Sequence, residues 1–182
     1  MNKLIKSIVV LVSICAIVAI LMAMTNYITA PIIKENEEQK TQKALLDVLP
    51  DGGSFEKLDI SAYELAPTVT EIYKAANGGY VVKLETTGYA KGMVIMCGVS
   101  ADGRISGTKL VSSAETPSIG GEAAEALSAA IKGKWIGNID GVDTVSGATK
   151  TTLAYRNAIK DALYAVAIVG GGSADTNLGP YG

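Results

Sequence analysis

Thr70-Glu-Ile-Tyr-Lys-Ala75 and Tyr80-Val-Val-Lys-Leu-Glu-Thr86 are two β-prone runs separated by Asn77-Gly78-Gly79. Asn-Gly and Gly-Gly accept the left-handed backbone of a tight turn, so the pair reads as a hairpin. Outward from it, Gly92-Met-Val-Ile-Met-Cys-Gly-Val99 is continuously apolar, the pattern of a strand buried on both faces. Ala101-Asp102-Gly103 then turns the chain into a further run, Ile105 to Ser112. Short turns between successive strands predict a mostly antiparallel sheet.

Two helical patterns follow. Gly121 to Lys132 repeats Ala and Leu at helical spacing through Ala123, Ala126, Leu127, Ala130 and Ile131. Lys150 to Val169 does so again through Leu153, Ala154, Ala158, Ala162, Ala165 and Val166. Strands followed by helices predict an α+β domain with flanking helices.

Toward the N-terminus, Ile8 to Met24 is almost wholly apolar, with Ser13 and Cys15 its only mildly polar members. Extended to Tyr27 it makes a helix about 30 Å long, enough to cross a bilayer core. A cleaved signal peptide would have a shorter apolar core and a small-residue cleavage site, and Leu21-Met22-Ala23 is a poor one. A lipoprotein signal would place a small residue before Cys15, where Ile14 stands. The segment therefore reads as a retained single-pass anchor. Lys3 and Lys6 precede it, and the next lysine is Lys34, so the positive-inside rule puts the N-terminus in the cytoplasm and the remainder outside the cell membrane. Lys34 to Leu49 is rich in charges and helix formers, with Ala44, Leu45, Val48 and Leu49 as a docking stripe, and Pro50-Asp51-Gly52-Gly53 stops it. The expected organisation is an anchor at 1–29, a juxtamembrane helix and linker at 30–53, an extracytoplasmic domain at 54–169 and a flexible Gly/Ser/Asn-rich tail at 170–182.

Composition narrows the chemistry. The 182 residues include no histidine, which removes Ser-His-Asp and Cys-His pairs, imidazole metal ligands and axial-histidine haem. Two cysteines cannot hold a four-cysteine iron–sulfur cluster, and no CxxC motif exists. Sixteen basic against 18 acidic residues, a net charge of −2, argue against a nucleic-acid partner. No catalytic residue or metal site is expected, and Cys97 within Met93 to Val99 reads as an inert buried thiol. Redox chemistry would have to come from an organic cofactor.

The segment with chemical character is Asp143-Thr-Val-Ser-Gly-Ala-Thr149, followed by Lys150. It is rich in hydroxyls, has a flexible Gly147, and ends where a helix begins. A helix N-terminus offers free N–H groups and a positive dipole end to a phosphate, with Lys150 nearby. Ser and Thr are also ordinary helix caps, so the residues alone leave both readings open. The other short motif, Glu115-Thr-Pro-Ser-Ile-Gly120, reads locally as a strand–helix connection.

Asp143-x-x-Ser-Gly-Ala-Thr149 resembles the flavinylation motif of the FMN-binding domain family, and Glu115-Thr-Pro resembles that family's upstream signature. The resemblance runs from about Val69 to Val166. With the short anchor ending in Thr29-Ala30-Pro31, it is most similar to the G-subunit family of the Rnf ion-translocating ferredoxin:NAD oxidoreductases; the C subunit of the sodium-translocating NADH:quinone reductases is a relative. Ser118 and Ile119 stand where the family usually has Gly and Leu, a departure that leaves the attachment residue untouched.

The resemblance implies FMN held covalently on Thr149 through a phosphoester. Ser146 would bond the phosphate or ribityl chain, Gly147 and Ala148 would let the backbone approach closely, and Lys150 would add a cation. Glu115 and Thr116 would face the flavin from the opposite loop, and Trp135 would either shield the ring or pack in the core. It implies an electron-transfer role beside other membrane subunits of an Rnf-type complex, and a separate FMN transferase for maturation. Two other readings stand beside it: a quinone-reductase subunit or stand-alone extracytoplasmic carrier, and a cofactor-free anchored assembly module.

Overall fold

The computed structural model describes residues 3–113 and 121–171. The chain divides into two compact units, the second beginning at Thr41.

The first unit is the greater part of α1 (Lys3–Val48), one helix long and apolar enough to cross a membrane. Its apolar side chains, Ile8 to Leu21 among them, are exposed. The hydroxyls of Ser13 and Thr25 donate to the carbonyls of Val9 and Leu21 at 2.8 and 2.9 Å, the back-bonding that satisfies a polar group without water. Pro31 lies inside α1. Its missing N–H leaves the carbonyl four residues back, on Tyr27, without its helical donor.

The second unit is an α+β domain built on a five-stranded antiparallel meander. The strands are β1 (Phe55–Leu58), β2 (Val69–Ala75), β3 (Tyr80–Thr86), β4 (Met93–Val99) and β5 (Ile105–Ser112), in spatial order β1-β2-β3-β4-β5. The turn at Asn77 to Gly79 joins β2 and β3 as the sequence predicts: Gly78 sits at φ +86°, and the Asn77 side chain accepts from the Gly79 N–H at 2.9 Å. The short β1, with Glu56 and Lys57 at its centre, was not anticipated; it pairs Phe55 with Ala75 and Leu58 with Ile72.

Both sheet faces are covered, which explains the unbroken apolar run of β4. On one face, Ile72, Val82, Leu84, Ile95, Cys97 and Val99 pack with α2 (Glu122–Ile131) and α3 (Thr149–Val169). On the other, Tyr73, Ala75, Val81 and Met96 pack with Ala44, Leu45, Val48 and Leu49, the last turn of α1 and the residue after it. The docking stripe read from the sequence is thus a core element. The Val48 carbonyl presses on Gly98 of β4 and accepts from the Ser106 hydroxyl of β5. Residues 172–182, expected as a tail, lie outside the described residues.

Candidate FMN-binding site

Everything between α2 and α3 leads the chain to the N-terminus of α3. The backbone of Trp135 organises the first turn: its N–H donates to Asn138 Oδ1 at 2.8 Å, and its carbonyl accepts from the N–H groups of Asn138 and Ile139. A 3-10 turn, Ile139–Gly141, follows, with Ile139 buried in the core. Arg156 of α3 then clamps the loop from behind, donating through Nη1 to the Val142 carbonyl at 2.8 Å and the Asp140 carbonyl at 3.4 Å. Lys160 pairs with the Asp140 carboxylate. These bonds hold the start of the Asp143–Thr149 segment against the body of α3.

The segment closes in a tight turn. The Ala148 N–H donates to the Val145 carbonyl at 3.1 Å, and Gly147, third in the turn, has φ +84°. That is the left-handed region, which glycine enters without the Cβ penalty. A Cβ on Gly147 would meet nothing within 4 Å, so the space beside the turn is open. Ala148 is the helix N-cap residue and is 7% exposed; it has no side-chain oxygen, and α3 has no side-chain cap. The serine–threonine capping considered for this loop is therefore absent at its N-cap.

Thr149 is the first residue of α3 and is exposed, as are Ser146, Gly147 and Lys150. The structure brings these four together around the N-cap, with buried Ala148 between them. Asp143 is exposed as well. Thr151 and Thr152, next in sequence, are the buried polar residues of the turn. The Thr152 hydroxyl donates to the Ala148 carbonyl at 3.0 Å and lies 3.2 Å from that of Thr149. Sequence reasoning gave Thr152 no role; its place three residues after Thr149 in a threonine-rich stretch was the available signal.

Trp135 is half-buried and is not among the side chains packed on the core, whereas Ile136 beside it is. Glu115, Thr116, Ser118 and Ile119 lie outside the described residues. Next to them, Gly121 lines a cavity of about 510 Å³ between β5 and α2, which reaches Asp47 and Pro50. Its inner wall is Tyr155 of α3, fully buried, whose phenol burial pushes well above the usual range. Cys97 is buried in the core and its thiol is pushed up to about 12 by desolvation, which makes it inert. Among the described residues no cluster of acidic or cysteine side chains could hold a metal ion.

The donor set suits a phosphate-bearing cofactor. A positive-φ glycine with open space beside it, an uncapped helix N-terminus, an exposed hydroxyl at the first helical position and an adjacent lysine are what an FMN phosphate needs for close backbone approach and charge compensation. A flavin-binding class is one that this fold and donor set suit, and comparison with known proteins points the same way. Residues 88–164 match the FMN-binding domain family. Residues 1–48 match the RnfG N-terminal region.

The particular relatives are G subunits. The chain is 35% identical over 128 residues to the G subunit of the Na⁺-translocating ferredoxin:NAD⁺ oxidoreductase complex of Acetobacterium woodii, covering 63% of this chain and 62% of that protein. It is 27% identical to the G subunit of the proton-translocating ferredoxin:NAD⁺ oxidoreductase complex of Clostridium ljungdahlii, over 87% of this chain and 89% of the relative. It is 28% identical to the G subunit of the ion-translocating oxidoreductase complex of Methanosarcina acetivorans, over 87% and 92%.

Proposed function

We propose that this protein is a membrane-anchored electron-transfer subunit of an Rnf-type ion-translocating ferredoxin:NAD oxidoreductase, carrying FMN as a phosphoester on Thr149. The observation that carries the reading is Thr149 itself, exposed at the first position of α3 behind the positive-φ Gly147 turn, in the region that matches the FMN-binding domain family. Bound FMN supplies the redox chemistry, accepting and returning electrons. The chain's own residues hold and orient it. The α3 N-terminus compensates the negative charge that a phosphodiester keeps, and Lys150 adds a cation. Ser146 donates to the phosphate or ribityl chain. Gly147 and Ala148 permit close approach, and Trp135, half-exposed and off the core, shields the ring. Glu115 and Thr116, given to the flavin by the family resemblance alone, complete the proposed set.

No side chain is needed as acid or base toward a substrate, which suits a chain without histidine. Turnover belongs to the complex, with the other membrane subunits as partners. In this reading α1 crosses the membrane with Lys3 and Lys6 on the cytoplasmic side, and the domain lies outside. Covalent attachment suits that location, because a tethered cofactor cannot diffuse away. A separate FMN transferase installs it.

The test is in-gel flavin fluorescence after full denaturation, on protein from its native membrane, with wild type beside Thr149→Ala. A fluorescent band at the chain's mass, lost in the variant, is the expected result. A dark wild-type band sinks covalent attachment; a fluorescent variant sinks Thr149.

A further inference from the structure

Thr152 is 1% exposed in the first turn of α3, and no solvent competes for its hydroxyl. The Ala148 carbonyl accepts twice from it, from the amide at 2.9 Å and from the hydroxyl at 3.0 Å, while the Thr149 carbonyl lies 3.2 Å from the same hydroxyl. Those two carbonyls belong to the peptide planes on either side of the Thr149 Cα. The angle between the two planes is what φ and ψ of Thr149 describe. One buried hydroxyl therefore lies against both planes, its single proton shared between two carbonyls, and the direction of the Thr149 Cα–Cβ bond is held from inside the helix. Ala148 at the N-cap position has no side-chain oxygen and makes no side-chain cap hydrogen bond.

We infer, resting on the covalent reading of Thr149, that Thr152 is a positioning residue for flavin attachment: through its hydroxyl it holds the backbone at Thr149, and with it the Cα–Cβ bond that carries Oγ1, in the direction from which Oγ1 takes the flavin phosphate. In that step Thr149 Oγ1 attacks the phosphorus of a flavin phosphoanhydride, such as a flavin dinucleotide. The Oγ1–P bond forms, the anhydride P–O bond breaks, and the nucleotide monophosphate leaves with the electron pair. The hydroxyl proton passes to a base on the transferase. Nothing is oxidised or reduced. Thr152 touches neither the phosphate nor the leaving group.

A threonine bonded to the carbonyl four residues back also occurs as a plain helix feature, with only a small effect on stability. The two roles separate by experiment. The full chain is expressed with a flavin transferase as wild type, Thr152→Val, Thr152→Ala, Thr152→Ser and Thr149→Ala. The initial rate of covalent flavin incorporation is followed by in-gel fluorescence and intact mass, well below each variant's melting temperature. Val keeps the volume and loses the hydroxyl, Ala loses both, and Ser keeps the hydroxyl. We expect incorporation about tenfold or more slower in Val and Ala, the scale that misplacement of a reacting group produces, and a rate in Ser within about twofold of wild type. Should Val misfold, Ala carries the comparison, since alanine is a good helix former. Wild-type rates in the folded hydroxyl-less variants overturn the inference, and so does a Ser variant as slow as Val. Loss of the underlying reading looks different: flavin on Thr149→Ala, or none on wild type.

Discussion

Gly98 and Gly107 face each other across the β4–β5 ladder, and the Val48 carbonyl lies over both. A Cβ on Gly98 would overlap that oxygen and the Ser106 hydroxyl, while one on Gly107 would stand 3.2 Å from it. The paired glycines form the seat on which the end of α1 meets the sheet.

Gly98→Ala should therefore destabilise the domain by about 1–3 kcal/mol, the usual cost of overpacking, because the obstacle is backbone and not a movable side chain. Gly107→Ala should cost clearly less. Urea unfolding of both variants checks the order; equal midpoints would show that the end of α1 yields freely.

Gly147→Ala meets no steric obstacle, only the strain of a side chain at φ +84°. We expect about 1 kcal/mol of lost stability and slower flavin incorporation, with Gly147→Asn nearer to wild type, since Asn tolerates the left-handed region. Thermal melts and flavin gels on both variants test this, and an Ala variant that melts and incorporates like wild type counts against a required turn.

Thr149→Ser should retain covalent flavin, because the attachment needs a hydroxyl and not a methyl. Intact mass should show the same added FMN as in wild type. A flavin-free Ser variant would mean that the threonine methyl is needed to orient the oxygen.

The alkaline limb of stability has a definite sign. Cys97, Tyr73 and Tyr155 all have pKa values raised by burial, with the Glu71 carboxylate adding to that of Tyr73. The folded state then keeps protons that the unfolded chain releases, so this contribution is full below the unfolded thiol value of about 9 and is lost as pH rises beyond it. Denaturation midpoints should fall steadily from about pH 9 upward. In the same range the Cys97 thiol should resist a water-soluble disulfide reagent until urea unfolds the domain; rapid native labelling would contradict its burial.

Arg156→Ala removes the donor to the Val142 and Asp140 carbonyls behind the attachment loop. Charged hydrogen bonds of this kind are worth about 1.5–3 kcal/mol, and we expect a loss near the lower end because Arg156 is only half-buried. The melting temperature and the protease sensitivity of the loop should report it together.

The positions of β2 to β5 and of the helices α2 and α3 were legible because each signal is local: an Asn-Gly-Gly turn, an unbroken apolar run, alanines at helical spacing. β1 was not, because Phe55–Leu58 carries two charges in four residues and becomes a strand only by pairing with β2. The continuity of α1 through Pro31 is likewise not written locally, because an interior proline costs a helix one hydrogen bond and a clash with the carbonyl four residues back, which only the rest of a long helix can offset.

The sequence by itself determined the apolar helix, the antiparallel sheet and the segment Asp143 to Thr149, since periodicity, turn residues and a short motif are written in neighbouring positions. Only the tertiary structure decided that Ala44 to Leu49 closes the second face of the sheet, that Gly98 and Gly107 make room for Val48, and that the Thr152 hydroxyl lies against the carbonyls on both sides of Thr149. Those relationships depend on which atoms approach when distant segments pack or a helix turn closes, and no single residue pattern encodes that distance.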